Sequence, residues 1–267
     1  MVALTAGAGV CLGAAPPLQL PLVAWVILAT GLLSGGAACL NQLLENRPDS
    51  LMKRTAGRPI PSGRIGRLQA VVFGLFLSAF GALLLIIYAN TLAALLGLLT
   101  SVIYLFAYTP LKRYSTICTT VGAVPGAVPP LIGWAAATGN LNSQAWSLFL
   151  ILFLWQYPHF LAIAWIYKED YEKAGFKMLP MLDLSGEKTS KQVVIFSSLL
   201  LISSVLPVCL DLAGRIYLVG ALSLGALQMI VSLQLRRDPS TTKARSVLRA
   251  SLIYLPILLI LLMIDKI

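Results

Sequence analysis

Nine apolar runs separated by polar connections divide the 267-residue chain, at roughly 1–15, 21–44, 67–88, 91–109, 118–138, 144–167, 193–213, 215–235 and 247–265. Eight of them approach or exceed the ~20 residues that a helix needs to cross a ~30 Å hydrocarbon core. The pattern predicts an all-α, polytopic membrane helical bundle of about nine transmembrane helices. The first run is short: fifteen residues rise only about 22 Å as a helix. It is expected to be tilted and partial, or to belong to a helix whose true start lies upstream. A cleaved signal peptide is the competing reading of 1–15, disfavoured by the lack of a charged segment ahead of the apolar run. Apart from two longer loops at 45–66 and 168–192 the connections are short, so a single domain over 1–267 is expected.

Composition supports the membrane assignment. Hydrophobic residues make up 58% of the chain and charged ones only 11%, with a mean hydropathy of +0.85. A soluble protein of this size would need far more charge to cover its surface. The net charge of +10 could suggest nucleic acid, but its distribution speaks against that partner. Eighteen of the twenty Lys and Arg residues lie in the loops after runs 2, 4, 6 and 8 or at the run ends that adjoin them, leaving Arg215 and Lys266 for the other side. Such asymmetry follows the positive-inside rule, so these loops are expected on the cytoplasmic face, with the amino terminus inside and the carboxyl terminus outside. The four cysteines are dispersed within apolar runs, without metal-like spacing, and read as small packing residues.

The second run ends in Asn41-Gln-Leu-Leu-Glu45-Asn-Arg-Pro-Asp49, followed by Lys53-Arg-Thr-Ala-Gly-Arg58-Pro. Helical positions four apart share a face, so Asn41 and Glu45 should point the same way. Pro48 is expected to end the helix near Arg47, which would bring Asp49 in from the loop. Clustered oxygen ligands suit a hard divalent cation, and Mg²⁺ typically takes one or two carboxylates plus substrate phosphate oxygens. Guanidinium groups alongside would hold the phosphates. Arg54 and Arg58 would face together if their segment were helical, and Lys112 with Arg113 could add charge from the next basic loop. Topology alone would explain basic residues here, and solvation would explain most loop acids. Glu45, however, belongs to an apolar run near the interface, where an ionisable group is a functional candidate. The cluster reads as a diphosphate site at a membrane surface.

A second constellation lies in run 6, as Trp155-Gln156-Tyr-Pro158-His159-Phe160 followed by Lys168-Glu-Asp170-Tyr171. His159 is the only histidine, and Gln156 lies about one turn from it. A lone histidine is commonly a satisfied core residue; inside a span and beside Gln, Trp and Tyr it becomes a candidate for function. Eleven residues, about three turns, separate His159 from Asp170, so the two are expected to share a face, one above the other. The Gly- and Pro-rich stretch 122–134 of run 5 reads as close packing and a bent helix.

These residues resemble the UbiA-type intramembrane prenyltransferases, whose pattern of an Asn, two acids at four-residue spacing and a following Arg is matched by Asn41, Glu45, Asp49 and Arg54. The runs MKRTAGRPIPSGRI (52–65), YTPLKR (108–113), GAVPGAVPPLIGWAAATG (122–139) and LWQYPHFLAIAWIYKEDYEKAGFKMLP (154–180) resemble the protoheme IX farnesyltransferase (haem O synthase) branch of that family. The resemblance implies helices around a cavity open laterally to lipid. It also implies transfer of the farnesyl group of farnesyl diphosphate to a vinyl group of haem b, with addition of water, giving haem O for haem A biosynthesis. Mg²⁺ is the implied cofactor, held by Asn41, Glu45, Asp49 and, by match to the second motif, Asp170. Arg54, Arg58 and Lys112 would stabilise the departing diphosphate, and His159, Gln156 and Trp155 would bind the haem. The implied setting is a bacterial inner membrane, or the mitochondrial one, with the site on the cytoplasmic face and a haem A synthase as partner. Glu45 stands where Asp is common, and Tyr167 stands where quinone-making relatives carry an acid. The rival readings are a UbiA-type enzyme acting on an aromatic quinone or chlorophyll precursor, and a transporter using buried acids.

Overall fold

A computed structural model describes residues 1–267, and every regular element except one isolated bridge is helical. Eight helical stretches are long and apolar enough to cross a membrane, and a shorter apolar helix precedes them. The nine runs therefore all become helices, and the first, α1 (Val2–Gly13), is indeed short at 12 residues. Many of the large exposed side chains are apolar, among them Phe73, Phe76, Ile86 and Ile87. That is the outer surface expected of a protein whose solvent is lipid. The protein is thus a multi-pass membrane protein of helical-bundle fold.

The chain forms two compact units. The first comprises Met1–Asn140 together with Lys168–Met178. It contains α1, α2 (Leu20–Leu44), the short α3 (Asn46–Leu51), α4 (Arg67–Tyr88) and α5 (Thr91–Val102). A π-helical segment, Ile103–Tyr108, continues α5 into the single turn α6 (Thr109–Leu111). Then come α7 (Cys118–Ala127), α8 (Pro129–Thr138) and, from the later segment, α10 (Lys168–Lys173). Helix α2 packs along α4, and α1 packs against both α2 and α8. The α1–α8 crossing depends on Gly9 and Gly133: a Cβ on Gly9 would strike the Pro130 backbone, and one on Gly133 the Ala6 carbonyl. The small residues of run 5 do allow close packing, and its prolines divide it into α7 and α8.

The second unit comprises Leu141–Tyr167 and Leu179–Ile267. Its long helices are α9 (Ser143–Ile166), α12 (Glu187–Ser203), α14 (Arg215–Arg237) and α15 (Thr241–Ile264), with the short α11 (Leu179–Leu182) and α13 (Leu206–Cys209) between them. The packing runs α9 to α12 to α14 to α15 and back to α9, closing a four-helix bundle. One end is filled by Leu161, Ala162, Val193, Leu235, Ala244 and Val247. Asp183 caps α12 by accepting from the Thr189 backbone N–H at 2.7 Å and from Ser185 Oγ at 3.2 Å. Gly186 just before α12 sits at φ 72° against the Trp165 ring, a backbone that favours glycine.

Two local expectations are corrected by the backbone. Helix α2 ends at Leu44, with Glu45 at φ −101° and ψ 13°, not at Arg47. Pro48 lies inside α3, in its first turn, where the missing N–H has no intrahelical partner to lose. The helix carrying His159 also stops before Asp170. Helix α9 ends at Ile166, Tyr167 turns out at φ −106° and ψ 26°, and α10 begins at Lys168. The shared face expected of His159 and Asp170 requires unbroken helical phase, and the break removes it.

Candidate active site

In the first unit each carboxylate pairs with its own cation, Glu45 with Lys112 and Asp49 with Arg58. Asn41 and Glu45 share a face as their spacing requires: Asn41 Nδ2 donates to Glu45 Oε2 at 2.9 Å. Lys112, which caps α6, donates from Nζ to Glu45 Oε1 at 2.8 Å and to Oε2 at 3.0 Å. Its ammonium also lies 4.5 Å from the centre of the Tyr108 ring and 5.6 Å from that of Phe176, within cation–π range. The π turn explains how Lys112 arrives there. Pro110 has no N–H for the carbonyl four residues back, and the turn ahead of it widens, with the Thr109 N–H reaching Tyr104 O. The Thr109 hydroxyl then lies 2.7 Å from Asn41 Oδ1 and 2.8 Å from Tyr104 O.

Asp49 enters from α3, whose start is set by the bend at Glu45, and its backbone N–H donates to Glu45 O at 2.8 Å. Arg58 Nη1 donates to Asp49 Oδ2 at 2.7 Å. Asp49 Oδ1 is buried without a hydrogen-bond partner. A buried carboxylate oxygen without a partner is costly and calls for a ligand. Residues 52–65 fold as turns rather than helix, held by Thr55 Oγ1 donating to Asp49 O at 2.8 Å. Arg54 and Arg58 therefore do not form a helical pair. Arg54 Nη2 reaches Tyr171 Oη at 3.4 Å instead. Arg113 turns away to the Leu44 carbonyl at 3.4 Å.

The segment 168–178 folds onto the same place. Helix α10 packs on α3, the Lys177 N–H donates to Lys112 O at 2.7 Å, and Phe176 faces the Lys112 ammonium. Asp170 is half-buried on α10. No three of the His, Cys, Asp and Glu side chains gather into a group able to hold a metal alone. The oxygen donors present, with the open Asp49 Oδ1 among them, fit a hard cation that shares its shell with substrate phosphate oxygens.

In the second unit, Trp155 and His159 stack with ring centres 4.6 Å apart and planes 21° apart. Both bind the same residue of α15. Trp155 Nε1 donates to Ser251 O at 2.8 Å, and His159 Nδ1 lies 2.9 Å from Ser251 Oγ. Gln156 is buried and donates to Leu152 O at 3.2 Å. Pro158 lies inside α9, so the helix beside His159 lacks one backbone hydrogen bond. Thr109, Tyr171, Phe176 and Ser251 escaped the sequence reading. Thr109, Tyr171 and Phe176 stand in matched runs without an assigned role, while Ser251 carries no local signal.

Comparison with known proteins identifies the family and the fold. The UbiA prenyltransferase family matches residues 2–255. The protoheme IX farnesyltransferase of Solibacter usitatus is 47% identical over 240 residues, 90% of this chain and 82% of that protein. That of Koribacter versatilis is 43% identical over 277 aligned positions, covering 100% of this chain and 89% of the relative. Among solved structures, a digeranylgeranylglyceryl phosphate synthase superposes with a TM-score of 0.82 at 20% identity, covering 99% of this chain and 92% of its own. A UbiA homologue from Archaeoglobus fulgidus bound to GPP and Mg²⁺ superposes at 0.67 and 16% identity, with 98% and 95% covered. At those identities the structures speak for the fold. The family match and the near full-length relatives together place this chain in the UbiA prenyltransferase family, among the protoheme IX farnesyltransferases.

Proposed function

We propose that the chain transfers the farnesyl group of farnesyl diphosphate to a vinyl group of haem b, and that water adds to give haem O. The single observation that carries this reading is the near full-length similarity to protoheme IX farnesyltransferases. The geometry of the first unit supports the diphosphate half of the reaction. At the end of an apolar helix Asn41 and Lys112 bind Glu45, and Arg58 binds Asp49, while Arg54 reaches Tyr171 on α10.

Diphosphate leaves slowly until its developing charge is neutralised. Asn41, Glu45 and Asp49, with Asp170 from α10, are the residues that would hold Mg²⁺, which supplies charge neutralisation on the phosphate oxygens when bound. Arg58 and Arg54 present guanidinium donors to the same oxygens, and Lys112 adds an ammonium. As the allylic C1–O bond breaks, its electron pair leaves with the diphosphate. The terminal vinyl carbon of the haem then bonds to C1. Water adds at the adjacent carbon and loses a proton, leaving a hydroxyl. The farnesyl cation has to be kept from water until the vinyl group reaches it. His159, stacked on Trp155, is the candidate haem contact of the second unit, with Gln156 beside it. The reading places the protein in a bacterial inner membrane, or the mitochondrial one, with the diphosphate cluster on the cytoplasmic face. A haem A synthase would receive the product.

The test is incubation of the purified protein with haem b, farnesyl diphosphate and Mg²⁺, followed by mass spectrometry. Haem O is the expected product. Turnover of a hydroxybenzoate with no haem O would overturn the acceptor assignment.

A further inference from the structure

Ser251 lies on α15 and is fully buried, and it meets the stacked Trp155–His159 pair with two different atoms. Its carbonyl accepts from Trp155 Nε1 at 2.8 Å. Its hydroxyl lies 2.9 Å from His159 Nδ1 and donates to Leu248 O at 2.7 Å. A serine hydroxyl has one proton and two lone pairs. With that proton turned to Leu248 O, the hydroxyl faces His159 as an acceptor, and Nδ1 must carry the hydrogen. A neutral imidazole protonated at Nδ1 has a bare Nε2, the nitrogen with a lone pair to give. Histidines that bind metals commonly donate their other N–H to a fixed acceptor, which sets the tautomer and raises basicity.

We infer that Ser251 is a positioning residue for haem: its hydroxyl holds His159 as the Nδ1–H tautomer, so that Nε2 is presented as a nitrogen ligand to the haem iron. The inference rests on the reading of His159 as the haem contact. The division of labour at Ser251 makes it separable by mutation. Ser251→Ala removes the acceptor of His159 and leaves the carbonyl that anchors Trp155, so the stack keeps one of its two attachments.

The measurement is the iron–histidine stretch of reduced haem b in the purified full-length protein, by resonance Raman, together with haem affinity. Farnesyl diphosphate binding reports whether each variant is folded. Loss of an acceptor at Nδ1 weakens the donor character of Nε2 and lowers the stretch. Ser251→Ala is expected to lower that frequency and to weaken haem binding about 10–100-fold, the usual range for such a partner. Ser251→Thr, which keeps a hydroxyl, is expected to restore both. If Ser251→Ala loses farnesyl diphosphate binding as well, Ser251→Cys takes its place, since the thiol is a weak acceptor of nearly the same size. Wild-type frequency and affinity in a folded Ser251→Ala or Ser251→Cys protein would overturn the role of Ser251 and leave that of His159 intact. An unchanged iron–histidine stretch in His159→Ala would instead overturn the underlying reading.

Discussion

The Lys112 ammonium donates to both oxygens of the Glu45 carboxylate, at 2.8 and 3.0 Å, and both residues are buried. Sixty-seven positions of sequence separate them. The pair joins the end of α2 to the turn after the π segment and neutralises two charges that would otherwise be isolated at an apolar boundary. Removing one partner of a buried pair leaves an uncompensated charge and costs about 3–5 kcal/mol. Lys112→Met should therefore lower the thermal midpoint in detergent sharply as well as abolish turnover. Adding Glu45→Gln should recover much of the midpoint without recovering activity. A double variant no more stable than Lys112→Met would show that the attraction between the charges is not what holds this corner.

Variants of Asp49 would distinguish metal binding from haem binding. One carboxylate oxygen is held by Arg58 at 2.7 Å, and the other is buried without a partner. Asp49→Ala should abolish Mg²⁺-dependent turnover while haem binding stays close to wild type. Arg58→Ala should be milder, lowering kcat about 10²–10³-fold, the range for loss of one donor aimed at developing charge. Haem titration of both proteins by absorbance is the check, and equal loss of haem and diphosphate binding in Asp49→Ala would contradict the assignment.

Thr109 offers a finer test of positioning. Its hydroxyl lies 2.7 Å from Asn41 Oδ1, which leaves the Asn41 amide free to donate to Glu45. Thr109→Val keeps the shape and loses the hydrogen bond. The expected cost is about 1 kcal/mol of stability, with a larger rise in the KM for farnesyl diphosphate than fall in kcat. Thr109→Ser should behave as wild type.

What could be read in advance was local. Asn41 and Glu45 meet because four residues make one turn, and that holds wherever the helix packs. Pro48 is the visible signal in the sequence, and it points to a helix break at Arg47. The chain turns at Glu45, and the proline settles into the first turn of α3, where its missing N–H does no harm. Sequence spacing gives His159 and Asp170 a common face, but the helical phase it relies on ends at Ile166. Ser251 lies ninety-two residues from His159, and Lys112 meets Glu45 across a comparable stretch. Such pairings depend on which helices pack together, and neither periodicity nor residue type carries that information.

Asp183 makes one pH-dependent contribution outside the spans. Burial alone would push its carboxyl up, but hydrogen bonds from Thr189 and Ser185 and the nearby Lys188 charge hold it net below its ordinary value of 3.8. A carboxyl depressed in the folded state stabilises fully above its unfolded value and loses that contribution as pH falls through the folded one. Wild type should lose stability below about pH 4, as this cap of α12 protonates, with the unfolded carboxyl near ~3.9. In Asp183→Asn that part of the acid limb should be absent and the midpoint at pH 7 lower. Thermal melts from pH 7 to pH 3 would reveal it; parallel acid limbs in the two proteins would exclude a titrating cap.

Arg54 tests whether the loop cations serve phosphate or structure. Its Nη2 reaches Tyr171 Oη at 3.4 Å, a long hydrogen bond that ties the turn 52–65 to α10, the helix that carries Asp170. If that tie were its purpose, Tyr171→Phe would reproduce the loss seen in Arg54→Ala. If the guanidinium binds diphosphate, the two variants should part. Tyr171→Phe removes one weak neutral acceptor from an exposed pair, worth at most about 1 kcal/mol, and should leave farnesyl diphosphate affinity within roughly fivefold. Arg54→Ala removes a charge-assisted donor and should weaken affinity by about 10-fold or more. Raising salt should narrow the gap between wild type and Arg54→Ala, because part of what Arg54 supplies is screened. Isothermal titration of farnesyl diphosphate with Mg²⁺ at two ionic strengths, across wild type and both variants, decides between the roles. Equal losses in Arg54→Ala and Tyr171→Phe, unaffected by salt, would make Arg54 a strut for α10 and leave Arg58 and Lys112 as the cations of the diphosphate site.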